Sequence, residues 1–231
     1  MESYNDIGSV NFQQALSEFF NQRLKFIEEN KYPAHLVQEP PSRFIMHFIP
    51  EKFQEISIDL KKFDQPENHL LPLGELPETI IPDYNYDGLL FVSSLHTKQS
   101  YTQLFRDGKV EMVAAIAESN MQQRGIFISL VKLQQYLIHS LNNNIAVLHK
   151  FFQPGPFYLY FRLIATENLQ VNPADINMSG YDAKGRNRPL VRETLVLPHY
   201  RIDEEELDFK SILKPFFDIL WNTFGFPGCP E

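Results

Sequence analysis

The chain is poor in sulfur and in long apolar runs. Its one cysteine is Cys229, so no internal disulfide can form and no thiolate cluster can hold a metal. That usage fits a reducing, cytoplasmic setting. No apolar stretch approaches the roughly 18–20 residues of a membrane-spanning helix, and the opening MESYNDIGSVNFQQ is acidic and lacks the apolar segment of a secretory signal. Positive charge is also in deficit. With 21 Lys and Arg against 29 Asp and Glu the formal charge is −8, which disfavours polyanion binding by the whole surface and requires any nucleic-acid site to be local. No Gly/Ser tract or charge run marks a linker, so the expectation is a single α+β domain over residues 1–231 with no membrane partner.

Catalytic signatures are missing as well. There is no G-x-S-x-G elbow, and Ser93, Ser94 and His96 read as polar residues around a hairpin loop. The seven histidines are scattered; His139 and His149 share a helix but lie ten apart, and His47, inside a strand, reads as a hydrogen-bonded core residue. The segment GYDAKGRN from Gly180 has the glycine spacing of a phosphate-binding loop. Yet Arg186 and Asn187 stand where Lys and a hydroxyl are needed, and the strand-before, helix-after context is lacking. The pair Asp83 and Asp87 cannot be judged from spacing alone, and the acidic run at 203–206 suits the N-terminus of the last helix. This reading assigns no catalytic residue, metal or cofactor.

Aromatic residues are abundant, with 20 phenylalanines, and they fall in periodic segments. Phe12, Leu16, Phe19, Phe20, Leu24 and Ile27 predict an amphipathic helix over 9–30, with Ser9 or Asn11 as its cap. RFIMHFIP predicts a strand covered on both faces near 43–49. Four prolines between 51 and 85 predict a short helical turn and a long ordered loop. Strands at about 88–94, 101–106 and 109–115 form an antiparallel meander. Asp107-Gly108 predicts a two-residue type I′ turn that pairs Arg106 with Lys109, Phe105 with Val110 and Gln103 with Met112. That register sends Tyr101, Phe105, Val110, Met112 and Ala114 to the core, and Leu104, Arg106, Lys109, Glu111 and Val113 to the opposite face. A long buried helix follows from Leu130 to Phe152, across three consecutive asparagines at 142–144 that lower helix propensity. Strands near 157–165 and 190–197 flank an irregular polar segment at 172–189, and a final helix is kinked or restarted at Pro215 and capped by Gly225. The predicted fold is α+β: a mostly antiparallel sheet packed by long helices.

RFIMHFIP, YNYDGLLFVSS, SYTQLFRDGKVEMV and FFDILWNTFGFP, in this order, resemble the C-terminal region of bacterial ATP-binding or DNA-binding proteins with an N-terminal Schlafen-type AlbA domain, often associated with antiviral defence. The resemblance runs from about Phe19 to Pro227. It implies an accessory region beside an AlbA-type domain, with the helix at 9–30 as the trailing edge of that domain, and it transfers no catalytic residue. On this view the chain is a domain of a longer protein or acts alone in a derived role.

Three sets of residues are candidates for contact. Lys184, Arg186, Arg188 and Arg192 place four cations in nine residues without an acid, suited to a phosphate or other anion. FYLYFR sends Tyr158, Tyr160 and Arg162 to one face, where bases can stack; tyrosines covered by a helix are the plainer reading. Arg106 and Lys109, paired at the predicted turn, are secondary candidates for an anionic partner. Phe19, Phe20, Phe217 and Trp221 are candidates for docking against an AlbA-type domain or a second copy. The expectation is a non-enzymatic binding module contacting nucleic acid or a partner domain, with an oligomerisation domain and, more weakly, a small-molecule sensor or an enzyme as alternatives.

Overall fold

The computed structural model describes residues 4–31, 42–93, 99–120, 125–152, 155–181, 187–203 and 208–230. By its internal contacts the chain forms two compact units, residues 1–36 and 37–231.

In the first unit, helix α1 runs Tyr4–Glu28, so it continues through Ser9 and Asn11 instead of starting at them. Its C-terminus is closed by Asn30 in the left-handed region at φ 47°. The Asn30 N–H donates to Ile27 C=O and the Lys31 N–H to Phe26 C=O. This paired closure satisfies carbonyls that the last turn would leave open, and Asn tolerates the conformation it needs. Along the helix Gln14 donates to Glu18, and the Arg23 guanidinium lies 5.5 Å from the Phe26 ring centre.

The second unit is built on an antiparallel sheet. Its strands are β1 (Arg43–Pro50), β2 (Ile80–Tyr84), β3 (Gly88–Ser93), β4 (Ser100–Phe105), β5 (Val110–Ala115), β8 (Phe157–Ile164), β10 (Thr194–Val196) and β11 (Tyr200–Ile202), in the order β10-β8-β1-β5-β4-β3-β2 with β11 also on β8. A smaller sheet holds β6 (Ala117–Asn120), β7 (Gly125–Ile128) and β9 (Leu169–Val171), with β7 and β9 parallel. The fold is α+β, with helices α2 (Leu130–His149), α3 (Pro173–Met178), α4 (Phe209–Ile212) and α5 (Lys214–Thr223). Among the described residues no helix is long and apolar enough to cross a membrane.

One face of the large sheet carries the hydrophobic core. Phe44, Met46 and Phe48 of β1 lie in register with Val110, Met112 and Ala114 of β5 and with Leu159, Phe161 and Leu163 of β8. This apolar face belongs to one buried cluster with Leu133, Leu137 and Leu141 of α2 and Phe216, Leu220 and Trp221 of α5. Such burial is the main favourable term in folding, at about 25 cal/mol per Å². Pro215 occupies the first turn of α5, where its missing N–H costs nothing, so the chain restarts as a second helix after α4.

The residues between β1 and β2 are not a loop after a single turn. They form four 3-10 segments (Phe53–Glu55, Leu60–Phe63, Pro66–Asn68, Pro77–Thr79) and then the edge strand β2. Residues Leu70, Leu71 and Leu73 join the core from this stretch. Its backbone is held by α2: the Asn144 amide accepts from Leu71 N–H at 2.6 Å and donates to Leu71 C=O at 3.1 Å. The asparagine run therefore does not split α2.

Candidate nucleic-acid interface

The meander register differs from the sequence expectation by one residue. Leu104 faces Val110, Gln103 faces Glu111 and Tyr101 faces Val113. The connection is a three-residue turn, Arg106-Asp107-Gly108, closed by Gly108 N–H to Phe105 C=O, and only Gly108 adopts a positive φ (81°). A type I′ turn would also have required positive φ at Asp107, which a residue with a Cβ pays for; the three-residue form needs it once. The one-residue slip moves Tyr101 and Phe105 off the core face, and brings Leu104 onto it.

On the second face this register assembles a polar row. Tyr160, His47, Glu111 and Gln103 lie opposite one another across β8, β1, β5 and β4. His47 Nε2 donates to Glu111 Oε2 at 3.0 Å, and Tyr101 Oη donates to Glu111 Oε1 at 2.8 Å. Asn85 Nδ2 continues the row to Gln103 Oε1 at 2.7 Å. His47, Tyr101, Gln103 and Glu111 are all buried, so each carboxylate oxygen of Glu111 has a donor where water does not reach. Satisfied in this way, the carboxylate fixes the alignment of three strands.

The row ends at an open flank on β8. There Tyr158, Tyr160 and Arg162 alternate with the buried Phe157, Leu159 and Phe161, and each is half-buried. A bulge shapes this flank. Val196 faces Arg162 and Tyr200 faces Leu159, so three residues, Leu197, Pro198 and His199, stand opposite two, Tyr160 and Phe161. The extra residue turns the exposed His199 ring onto Tyr160, stacked with 5.2 Å between centres and 19° between planes. Tyr158 lies 6.2 Å from Tyr160 and donates to Glu51 at 3.3 Å. Burial, and then the neighbouring Tyr158, push the Tyr160 hydroxyl above its ordinary pKa, so it stays a neutral donor.

The predicted contact residues are only partly brought together. Arg188 and Arg192 are exposed on the segment that leads into β10, the strand beside Arg162. Lys184 and Arg186 lie outside the described residues, as do Ser94, His96 and most of the acidic run. Asn187, at φ 57°, is used structurally: its amide both accepts from and donates to the Val171 backbone. Arg106 is exposed and its Nε donates to Tyr86 C=O at 3.4 Å.

Lys109 is a correction. It is 7% exposed, pairs with Asp107 and lies 4.1 Å from the Phe53 ring centre, so its charge is neutralised within the protein and is not presented to a partner. The predicted opposition to Arg106 disappears because Lys109 faces Phe105. Phe217 and Trp221 are a second correction. Both are fully buried, Phe217 against Phe216 and Trp221 against Tyr181 and Phe226, because α5 is apolar nearly all round and is enclosed by its own unit. They are not a docking surface. Phe19 and Phe20 sit side by side on α1, with ring centres 5.7 Å apart.

Two functional features escaped the sequence reading. His199 had no periodic signal because it lies in a bulge. The Glu111 network requires the correct turn register before its members share a face. Among the described residues no group of His, Cys, Asp or Glu is placed to hold a metal. Compared with models of protein families, with curated proteins and with solved structures, the chain matches none.

Proposed function

We propose that the chain is a non-enzymatic binding module that takes single-stranded nucleic acid on the β8 flank, as an accessory part of an AlbA-type bacterial protein in antiviral defence. The carrying observation is the aromatic group Tyr158, Tyr160 and His199 beside Arg162, with Arg188 and Arg192 exposed on the same edge of the sheet. Bases stack on such rings without hydrogen-bond readout, and guanidinium groups track the phosphates. Arg201 is not counted among these cations, since Glu51 and Asp203 already pair with it. The defence setting rests on the sequence resemblance alone.

The test is fluorescence anisotropy with labelled oligo-dT, oligo-U and a DNA duplex at about 25 and 150 mM salt. Single strands bind better than the duplex. His199→Ala weakens binding roughly 5-fold or more, as loss of one stacked base requires. Arg188→Ala and Arg192→Ala each reduce the salt slope by about 0.7. Absence of binding at low salt, or equal binding by the His199 variant, defeats the proposal.

A further inference from the structure

A second recess lies on the opposite side of the molecule's chemistry: it is floored by apolar side chains and rimmed by amines. Helices α2, α3 and α4, the start of α5 and the tail at 229–230 enclose an open groove of about 880 Å³. Val131 and Ile138 of α2 and Pro230 form apolar walls, and Met178 at the end of α3 stands 70% exposed at its side. A methionine left in water at the rim of a concave surface is an adaptable apolar contact.

The polar rim has one sign. Lys210 and Lys214 line the groove together with Ser211, and among the described residues that line it none is acidic. On a chain of net charge −8 this is a local reversal. Lys214 is tied to Asp218 at 3.0 Å; Asp218 also accepts from Cys229 N–H at 2.8 Å, which holds the tail against the groove. Burial works against the Asp218 charge, but the Cys229 N–H and the Lys214 amine outweigh it and keep the carboxyl below its usual range, so this anchor persists at neutral pH.

We infer that the groove binds a small anionic amphiphile, a carboxylate carried on an apolar tail. The size lies within the roughly 300–1,000 Å³ of ordinary ligand pockets, the apolar walls accept a methylene chain, and the Lys210 amine with the Ser211 hydroxyl receives the carboxylate. The groove and the β8 flank share no residue, so this inference is independent of nucleic-acid binding.

The probe is decanoate below its micellar concentration, titrated calorimetrically into the full chain. Cys229 supplies a second readout, because it is the chain's single thiol and lines the groove. The expected result is saturable one-site binding that slows alkylation of Cys229 by iodoacetamide. Decanol, which lacks the charge, binds about tenfold more weakly, and so does decanoate to Lys210→Gln. Met178→Glu, a change at an exposed side chain, weakens decanoate to a similar extent. The inference is overturned if decanoate does not saturate, if decanol binds equally well, or if decanoate binds without protecting Cys229.

Discussion

The three consecutive asparagines of α2 offer a graded test of how the second unit is held together. Asn142 is exposed, Asn143 is half-buried, and Asn144 is 3% exposed. Replacing Asn144 by Ala removes the acceptor of the buried Leu71 N–H and the donor to Leu71 C=O. The carbonyl retains the Thr102 hydroxyl at 3.1 Å, so the orphaned N–H dominates, at about 1–3 kcal/mol. Lost packing adds about 1 kcal/mol, and the better helix propensity of Ala returns about 0.6 kcal/mol. The net loss is on the order of 2–3 kcal/mol, or about 4–12 °C in Tm for a chain of this size. Asn143→Ala gives up one bond to His69 C=O at 3.3 Å and gains propensity, so it falls near zero. Asn142→Ala stabilises by about 0.5 kcal/mol. Urea unfolding followed by the fluorescence of Trp221, the chain's one tryptophan and fully buried in the same unit, measures all three. Equal stability of the Asn144 variant and the parent, or equal losses at Asn142 and Asn144, would refute the argument.

Other consequences are open to measurement. Lys109→Gln removes a nearly buried ion pair and the contact over Phe53 and lowers stability by about 1–2 kcal/mol, whereas Arg106→Gln stays within about 0.5 kcal/mol by the same unfolding assay. Gly88→Ala places a Cβ 2.0 Å from Leu104 C=O, a backbone atom that side-chain rotation cannot move. A loss on the order of 3 kcal/mol is expected, read as a lower urea midpoint, and an unchanged midpoint contradicts the β3–β4 register. The Tyr84 hydroxyl donates to Asp64, whose acceptance of that bond, with burial and nearby charge, raises the phenol to about 12. Its stabilising contribution is present below pH 10 and fades as pH rises toward 12. In an ultraviolet titration Tyr84→Phe removes a late-ionising phenol, and loss of an early one instead would contradict the bond.

Strong periodicity made α2, β1, β8 and the meander legible in the sequence, because their alternation or helical spacing spans six residues or more. The failures have specific causes. The turn at 106–108 depended on whether Asp107 would take a positive φ, and Asp-Gly sequences permit both outcomes. One residue of slip then misassigned Tyr101, Phe105 and Leu104, and concealed the Glu111 network. Strands β9, β10 and β11 have three residues each, too short for a period. Asn143 and Asn144 looked like poor helix residues because their partners, His69 and Leu71, are more than 70 positions away. The aromatic content of α5 signalled burial correctly but could not say whether its own unit or a partner supplies the cover. At the candidate interface, Tyr158, Tyr160 and Arg162 were legible as one face, while His199 was reached only through the bulge.

Each outer margin of the large sheet contains a proline: Pro82 within β2, and Pro198 in the bulge between β10 and β11. Proline offers no N–H to a further strand, and a bulge breaks the even ladder that such a strand would need. The sheet is thereby closed to growth at both ends without curling into a barrel. Fibril-like stacking through these margins is blocked by two residues, and any association of this chain through the sheet must proceed by side chains on its faces rather than by adding to its ladder.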